Sequence, residues 1–393
     1  MTNRPRPLLH VAQISFFNDP QGRLPEQLLE AWGSLVDVAE AAARCAARVS
    51  VVQACAHSQE LERNGVRYYF LPFGEGSGLA QGYAALGACL RQLAPSVLHV
   101  HGLGFLRDVR ALAAAAPGIP IILQDHASRP PRLWRRGAWR RGLSVADGIA
   151  FCAAEQAQPF ASAGLLAKHT RVYEITESTS RFAPGDRGAA RRETGLQGDP
   201  AVLWVGNLDA NKDPLTVLDA VSVVTRELPG LQLFCCFGVA PLLRQVQERT
   251  ANDARLRDRV TLLGRVPHDR IEQLMRAADL FVLASHHEGS GYALIEALAC
   301  GLPPLVTDIP SFRALTGAGA VGSLWRCGDA AGLAGALRAL AARCGAQARA
   351  AVRAHFEREL SFDALGAKLA AMYADVCERH RGTRSAACAR PSV

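Results

Sequence analysis

Short apolar runs alternate with longer Ala- and Leu-rich stretches from one end of the chain to the other. Such runs read as β-strands, and the stretches between them have the length and periodicity of crossover helices, so the pattern predicts parallel βαβ units. In the first half, strands are expected at Leu8–Ile14, Val49–Gln53, Tyr68–Pro72, Val97–Val100, Ile119–Gln124 and Gly148–Cys152, with helices over Glu26–Ala47 and Gly78–Leu93. The alternation lapses between Thr176 and Pro200, a segment rich in Gly, Pro, Ser and Arg, and restarts at the apolar run AVLWVG. Further strands are expected at Ala201–Val205, Leu231–Phe234, Val260–Leu263, Leu280–Leu283 and Leu305–Thr307.

Two doubly wound α/β domains in tandem follow from this pattern. The boundaries are residues 1–178, a linker at 179–199, and residues 200–361. A last helix at 362–378 is expected to pack back on the first domain. The basic stretch 379–393 has no periodicity and reads as a disordered tail.

Composition agrees with two domains, since 393 residues at 49% hydrophobic content suffice for two separate cores. Eleven cysteines lie scattered between Cys45 and Cys388 without a CxxC or zinc-like spacing. That points to neither a metal framework nor a secreted disulfide scaffold, and a reducing cytosol fits best. The first apolar run is interrupted by His10 and Gln13, too short and too polar for a signal peptide or membrane span, and no other stretch reaches spanning length. A cytoplasmic protein is expected. The formal charge of +8 favours anionic partners, whether nucleotide, phospholipid head group or nucleic acid, without choosing among them.

The segment ADLFVLASHHEGSGYALIEALACGLPPLVTD, Ala278–Asp308, parses as strand, Gly-containing loop, helix, Gly stop and second strand. A helix start of this kind offers backbone amides and a favourable dipole to a phosphate. Glu288 precedes the helix and Glu296 sits inside it, eight positions on. At near-helical spacing the two carboxylates are roughly 12 Å apart. That is too far for two groups acting on one bond, but it suits acceptors at opposite ends of a long ligand. A sugar nucleotide has this layout: hexose hydroxyls, a diphosphate over the amides, and ribose hydroxyls. The alternative, a solvated Glu296 and a first-turn acid at Glu288, sits poorly with Leu294, Ile295, Ala297 and Leu298 around Glu296, because a buried carboxylate needs partners.

The run EGSGYALIEALACGLP resembles the signature of glycosyltransferase family 4, whose GT-B fold has two Rossmann-like domains facing across a cleft. The resemblance implies donor contacts at Glu288, Gly289, Ser290, Gly291, Tyr292 and Glu296. The stretch AVLWVGNLDANKDPLTVLDA is similar to the first strand and loop of that family's donor domain. Gly206 and Lys212 match there, and Asn207 stands where an Arg is common. VTLLGRVP is similar to the strand and turn that hold the base, with Gly264, Arg265 and Val266 as its edge. Asp279 matches a recurrent position read as structural, as a turn or cap.

In the first half, VLHVHGLG is similar to the strand that brings a histidine to the cleft, here His101. QDHAS resembles the next strand end, with Asp125 and His126 on the acceptor side. The first loop, NDPQGR, offers Gly22 and then Arg23 where the family often has Gly-Gly. By this resemblance the catalytic groups are Lys212, His101 and Glu288, with Lys212 countering the charge of a departing nucleoside diphosphate.

No Asp-x-Asp pair of the kind that holds a cation in other glycosyltransferases occurs in the chain. The expectation is therefore a metal-independent enzyme without cofactor. By resemblance it retains anomeric configuration and moves a hexose-type sugar from a UDP- or GDP-linked donor to a hydroxyl acceptor, in cell-envelope, polysaccharide or glycolipid synthesis. Two rivals share the architecture: a sugar-nucleotide epimerase and a noncatalytic sugar-nucleotide-binding subunit.

GAGAVG at Gly317–Gly322 satisfies GxGxxG but lacks the preceding strand and the distal acid of a dinucleotide site, and GEGSG at Gly74–Gly78 is incomplete; both read as loops. RPPRLWRRGAWRRG places six arginines between Arg129 and Arg141, with Trp134 and Trp139 interleaved. Peripheral contact with an anionic membrane at the inner face and a merely exposed amphipathic turn both fit it. Nucleic acid is disfavoured, because nothing resembles a recognised binding module.

Overall fold

Along β1 (Leu9–Ser15) successive residues turn to opposite sides of a sheet. Val11 joins one apolar cluster, and Ala12 and Ile14 join another. The computed structural model describes residues 9–45, 47–73 and 79–388. Two compact units result, one formed by Met1–Ser178 with Phe362–Val393 and the other by Thr179–Ser361.

The first unit carries β2 (Ala47–Ala54), β3 (Gln59–Arg63), β4 (Val66–Leu71), β5 (Val97–His101), β6 (Ile121–Gln124), β7 (Gly148–Phe151) and β8 (Arg171–Glu174) beside β1. Their order is β3-β4-β2-β1-β5-β6-β7-β8, parallel except for the antiparallel β3–β4 pair. Asn64 and Gly65, both at positive φ, make the tight turn of that hairpin.

One face is covered by helices Pro25–Ala31 and Gly33–Arg44 and by the C-terminal helix Phe362–Cys388. The single helix expected over Glu26–Ala47 is thus two, broken where Trp32 leaves helical geometry, and Ala47 already belongs to β2. Leu79–Leu93 forms the next crossover helix, and Gly78 and the GEGSG loop lie outside the described residues. The C-terminal helix lies against Gly33–Arg44, where a Cβ on Gly366 would overlap the Ala41 carbonyl.

The helix also corrects the disordered tail expected from residue 379. Residues 379–388 remain helical, and His380 Nδ1 meets Asp147 Oδ1 at 2.9 Å. Residues 389–393 lie outside the described residues.

The second unit carries β9 (Ala201–Val205), β10 (Gln232–Cys236), β11 (Val260–Gly264), β12 (Leu280–Leu283), β13 (Pro304–Thr307) and β14 (Ser323–Trp325). They form a wholly parallel sheet ordered β11-β10-β9-β12-β13-β14. The segment expected as a linker, 179–199, is part of this unit and contains the helix Arg187–Thr194. Asp186 caps its start and Gly195, at φ +73°, ends it.

Arg187 and Arg191, one turn apart on that helix, each reach the buried Asp279 carboxylate at 2.6 Å, and the Ala201 amide donates to the same group at 2.8 Å. Asp279 is therefore structural, as expected, but as neither turn nor cap. It is the anion that ties the helix to the starts of β9 and β12.

Candidate functional site

In the second unit the chain runs outward from β9 to β10 and β11, then returns to lay β12 on the other side of β9. Loops leaving the carboxyl ends of β9 and β12 therefore diverge, and that crevice is where open α/β sheets bind ligands. Lys212 lies in the first of these loops and Glu288 in the second, and they form an ion pair. Backbone contacts set the loops edge to edge. The His286 amide donates to the Asn211 carbonyl at 2.8 Å, and Asn211 Nδ2 donates to the His287 carbonyl at 3.0 Å. Asp209 receives the Lys212 amide at 2.9 Å, and Asp213 caps the following helix while meeting His286 Nε2 at 3.1 Å.

Gly206 sits at the root of the first loop. Its carbonyl accepts from the Trp204 indole at 2.9 Å and its amide donates to Cys236 at 3.0 Å. Asn207 turns its Oδ1 to the Val239 amide at 3.1 Å, stitching this loop to the one after β10.

After Glu288, Gly289 and the buried Ser290 lead to Gly291, which caps the helix Tyr292–Ala299 at φ +84°. Tyr292 stands 41% exposed at the helix start. Glu296, half-buried on this helix, meets His268 Nε2 at 2.6 Å, and the His268 ring lies 4.8 Å from that of Phe182. His268 opens the helix that follows the Gly264–Val266 turn, so the glutamate's partner comes from the segment expected to hold the base. Gly264 turns at φ +69°, and its carbonyl accepts from the Phe237 amide at 2.9 Å, while Arg265 is exposed.

The first unit has its own reversal, between β1 and β5, and there Ser15 and His101 are register partners. A cavity of about 310 Å³ opens beside them, walled by Phe17, Trp32, Leu35 and Phe105. Ser15, Ser34, His101 and His126 supply its polar atoms.

His101 shares a hydrogen bond with His126 at 3.2 Å, and His126 Nδ1 faces the Glu177 carboxylate. Behind them Gln13 Oε1 lies 3.4 Å from His101, Gln13 Nε2 donates to the Tyr373 hydroxyl at 3.3 Å, and that hydroxyl meets His99 at 2.9 Å. Burial, reinforced by His99 and His126, holds His101 well below the usual imidazole range, and burial takes His99 to about 3. Asp125 is buried and raised for the same reason, with Oδ1 accepting the Ser128 amide at 3.0 Å.

Gly22 and Arg23 form a self-contained loop in which Arg23 grips Asp19 at 2.9 Å, and its side-chain hydrogen bonds hold the Asp19 carboxyl at about 2. Arg23 also lies over Trp32, 5.9 Å from the ring centre.

The structure thus brings Lys212 to Glu288, and His101 to His126. Sequence reasoning missed Gln13, Trp32, Glu177, His268 and Tyr373. Only Trp32 carried a local signal, as a large aromatic before Gly33. Among the described residues no three His, Cys, Asp or Glu side chains cluster in a metal-holding arrangement.

Two family models match the chain, Glycosyltransferase Family 4 over residues 34–173 and Glycosyl transferases group 1 over residues 186–352. A D-inositol 3-phosphate glycosyltransferase of Nocardia farcinica is 36% identical over 167 residues, which is 41% of this chain and 37% of the relative. A GDP-mannose:cellobiosyl-diphosphopolyprenol alpha-mannosyltransferase of Xanthomonas campestris is 26% identical over 243 residues, 58% of this chain and 62% of the relative. The matches therefore span less than two thirds of either relative.

Among solved structures, sucrose-phosphate synthase from Thermosynechococcus elongatus aligns with a TM-score of 0.69 at 20% identity, covering 94% of this chain and 99% of that one. Anabaena HepE in complex with UDP aligns with a TM-score of 0.70 at 17% identity, covering 93% and 100%. These likenesses establish a shared fold of two α/β domains.

Proposed function

This chain belongs to the glycosyltransferases, with a family 4 region followed by a group 1 region on a GT-B fold, and from that membership we propose that it transfers a hexose-type sugar from a UDP- or GDP-linked donor to a hydroxyl acceptor. The observation that carries the reading is the Lys212–Glu288 pair at the strand-order reversal of the second unit. A cation and a carboxylate at a helix start match the two needs of a sugar diphosphate: charge on the leaving phosphate and acceptors for sugar hydroxyls. In this reading Lys212 and the amides of Gly289–Tyr292 hold the diphosphate, Glu288 the sugar and Glu296 the ribose. Gly206 and Asn207 shape the loop beneath, and Gly264, Arg265 and Val266 flank the base.

His101 and His126 face the acceptor, with Asp125 behind them, and Gly22 and Arg23 rim that side. The reaction retains anomeric configuration and uses no metal or cofactor, because Lys212 and the helix amides supply the countercharge. The enzyme acts at the cytoplasmic side, touching the membrane surface through Arg129–Arg141. The models matched are of glycosyltransferases and give the epimerase rival no support. A noncatalytic subunit would bind donor without turning it over.

Ligands that bind the native state raise its melting temperature. A thermal-shift panel of UDP-, GDP- and ADP-linked sugars is expected to single out a UDP or GDP donor, and stabilisation by none would overturn the reading. Turnover unchanged by EDTA and an axial linkage from an axial donor, read by NMR, test metal independence and retention.

A further inference from the structure

We infer that the cavity at the β1–β5 reversal binds the acceptor through an uncharged, hydroxyl-bearing ring with an apolar face, the chemistry of a neutral pyranoside. The inference rests on the glycosyltransferase reading for the word acceptor. The site itself rests on its place in the sheet. Ser15 and His101 end adjacent parallel strands where the strand order reverses, the position at which such sheets take ligands.

At about 310 Å³ the cavity is at the small end of small-molecule sites and suits one ring rather than a chain of them. Phe17, Trp32 and Phe105 offer aromatic surface, and Phe17 and Trp32 already stand as a tilted pair 5.4 Å apart. The C–H face of a pyranose fits such a wall. An alkyl chain there would cover the Ser15 and Ser34 hydroxyls without giving them partners, at a cost for each group left unpaired.

Charge decides against an ionic acceptor. Among the described residues lining the cavity there is no Lys or Arg. The guanidinium over Trp32, that of Arg23, is committed to Asp19. The Glu177 carboxylate is engaged by His126 Nδ1. A phosphate ester would shed water here with no Lys or Arg among the described lining residues to replace it. Glu177 is a positioning residue: it orients the His126 ring that meets both the cavity and His101.

The test is saturation-transfer NMR on the full chain, with methyl α-glucopyranoside, methyl α-mannopyranoside and their 6-phosphates as probes. Nucleotide-sugar thermal shifts on the same samples serve as the control. At least one methyl glycoside is expected to receive saturation. Its affinity should fall about tenfold or more in Trp32→Ala, equivalent to about 1.4 kcal/mol. In Glu177→Gln it should fall several-fold, with recovery in Glu177→Asp, and the 6-phosphates should bind no more tightly than the neutral glycosides.

Failure of every methyl glycoside to bind while a UDP or GDP sugar stabilises the protein would overturn the inference. So would tighter binding of a 6-phosphate, or unchanged binding in Trp32→Ala. Glycoside binding without any nucleotide-sugar stabilisation would instead overturn the glycosyltransferase reading and leave the cavity assignment standing.

Discussion

Lys212 and Glu288 stand 76 positions apart and pair across the two loops that leave β9 and β12, each with most of its side chain out of solvent. On the donor-site reading the pair holds both groups in place before a sugar nucleotide arrives, so little reorganisation is needed when charge develops on the leaving phosphate. Lys212→Ala and Glu288→Gln are each expected to lower the transfer rate about 10²- to 10³-fold in a protein that stays folded. The double variant should lose far less than the product of the two, because the groups act as one unit. Initial rates of donor consumption, with melting curves on each sample, measure this. Rates close to wild type in both single variants would remove these residues from the site.

Gly291 fixes where the helix Tyr292–Ala299 begins. Its φ of +84° is one an L-residue rarely adopts, and a Cβ there would come within 2.7 Å of the Phe312 ring. Gly291→Ala combines backbone strain with a clash against a fully buried aromatic, at a cost of about 1–3 kcal/mol. The melting temperature should drop, and stabilisation by the preferred nucleotide sugar should weaken, since the helix amides shift with the cap. An unchanged melting temperature together with a full donor shift would show that the loop accommodates a side chain.

The architecture was legible because both sheets bury their strands between helices, which writes them as nearly unbroken apolar runs. Strands that escaped notice break that rule. β3 (QELER) and β8 (RVYE) are polar and partly exposed, and β14 is only three residues long. The Asn64–Gly65 turn was a readable hairpin signal that went unused.

The strand–loop–helix segment of the candidate site was legible because Glu288, the helix start and Glu296 are contiguous. Their partners were not. His268 lies 28 positions from Glu296, and the chain from His126 to Glu177 and from His99 to Tyr373 is assembled only when distant strands and the C-terminal helix meet. In the expected linker, Arg187 and Arg191 show helical spacing, but Asp279, which they hold, lies 92 and 88 positions away.

The first unit should lose stability on mild acidification. Burial lowers His10, His99 and His101, taking His99 to about 3, whereas an unfolded chain titrates histidine near 6.5. The folded pKa lies below the unfolded one, so between these values the unfolded state binds the proton first. The contribution is complete above about pH 6.5 and falls as pH drops toward 3, by up to about 1.4 kcal/mol per pH unit for each group. Hydrogen exchange of the β1 and β5 amides between pH 7 and 4, corrected for intrinsic rates, reads this locally. His99→Gln should flatten the dependence, and a slope identical to wild type would show that His99 does not carry it.

The Arg-rich segment is the remaining surface with a definite chemistry. Leu133 and Trp134 are 75% and 77% exposed, and the Arg135 guanidinium lies 5.7 Å from the Trp134 ring centre. Trp139 is turned inward, its ring 6.2 Å from Phe160, and Arg140 donates to the Gly164 carbonyl at 2.8 Å. Of the two tryptophans, then, only Trp134 is presented to a membrane surface, beside a leucine and a set of guanidinium groups. Among the described residues no helix is long and apolar enough to cross a bilayer, so contact by this segment would be interfacial. Co-sedimentation should show binding to phosphatidylglycerol-containing vesicles that weakens with salt, each basic residue near the surface contributing about 1 kcal/mol. Leu133→Ala with Trp134→Ala should reduce that binding several-fold without changing the melting temperature. Equal binding to neutral phosphatidylcholine vesicles, or no loss in the double variant, would make the segment an ordinary exposed turn.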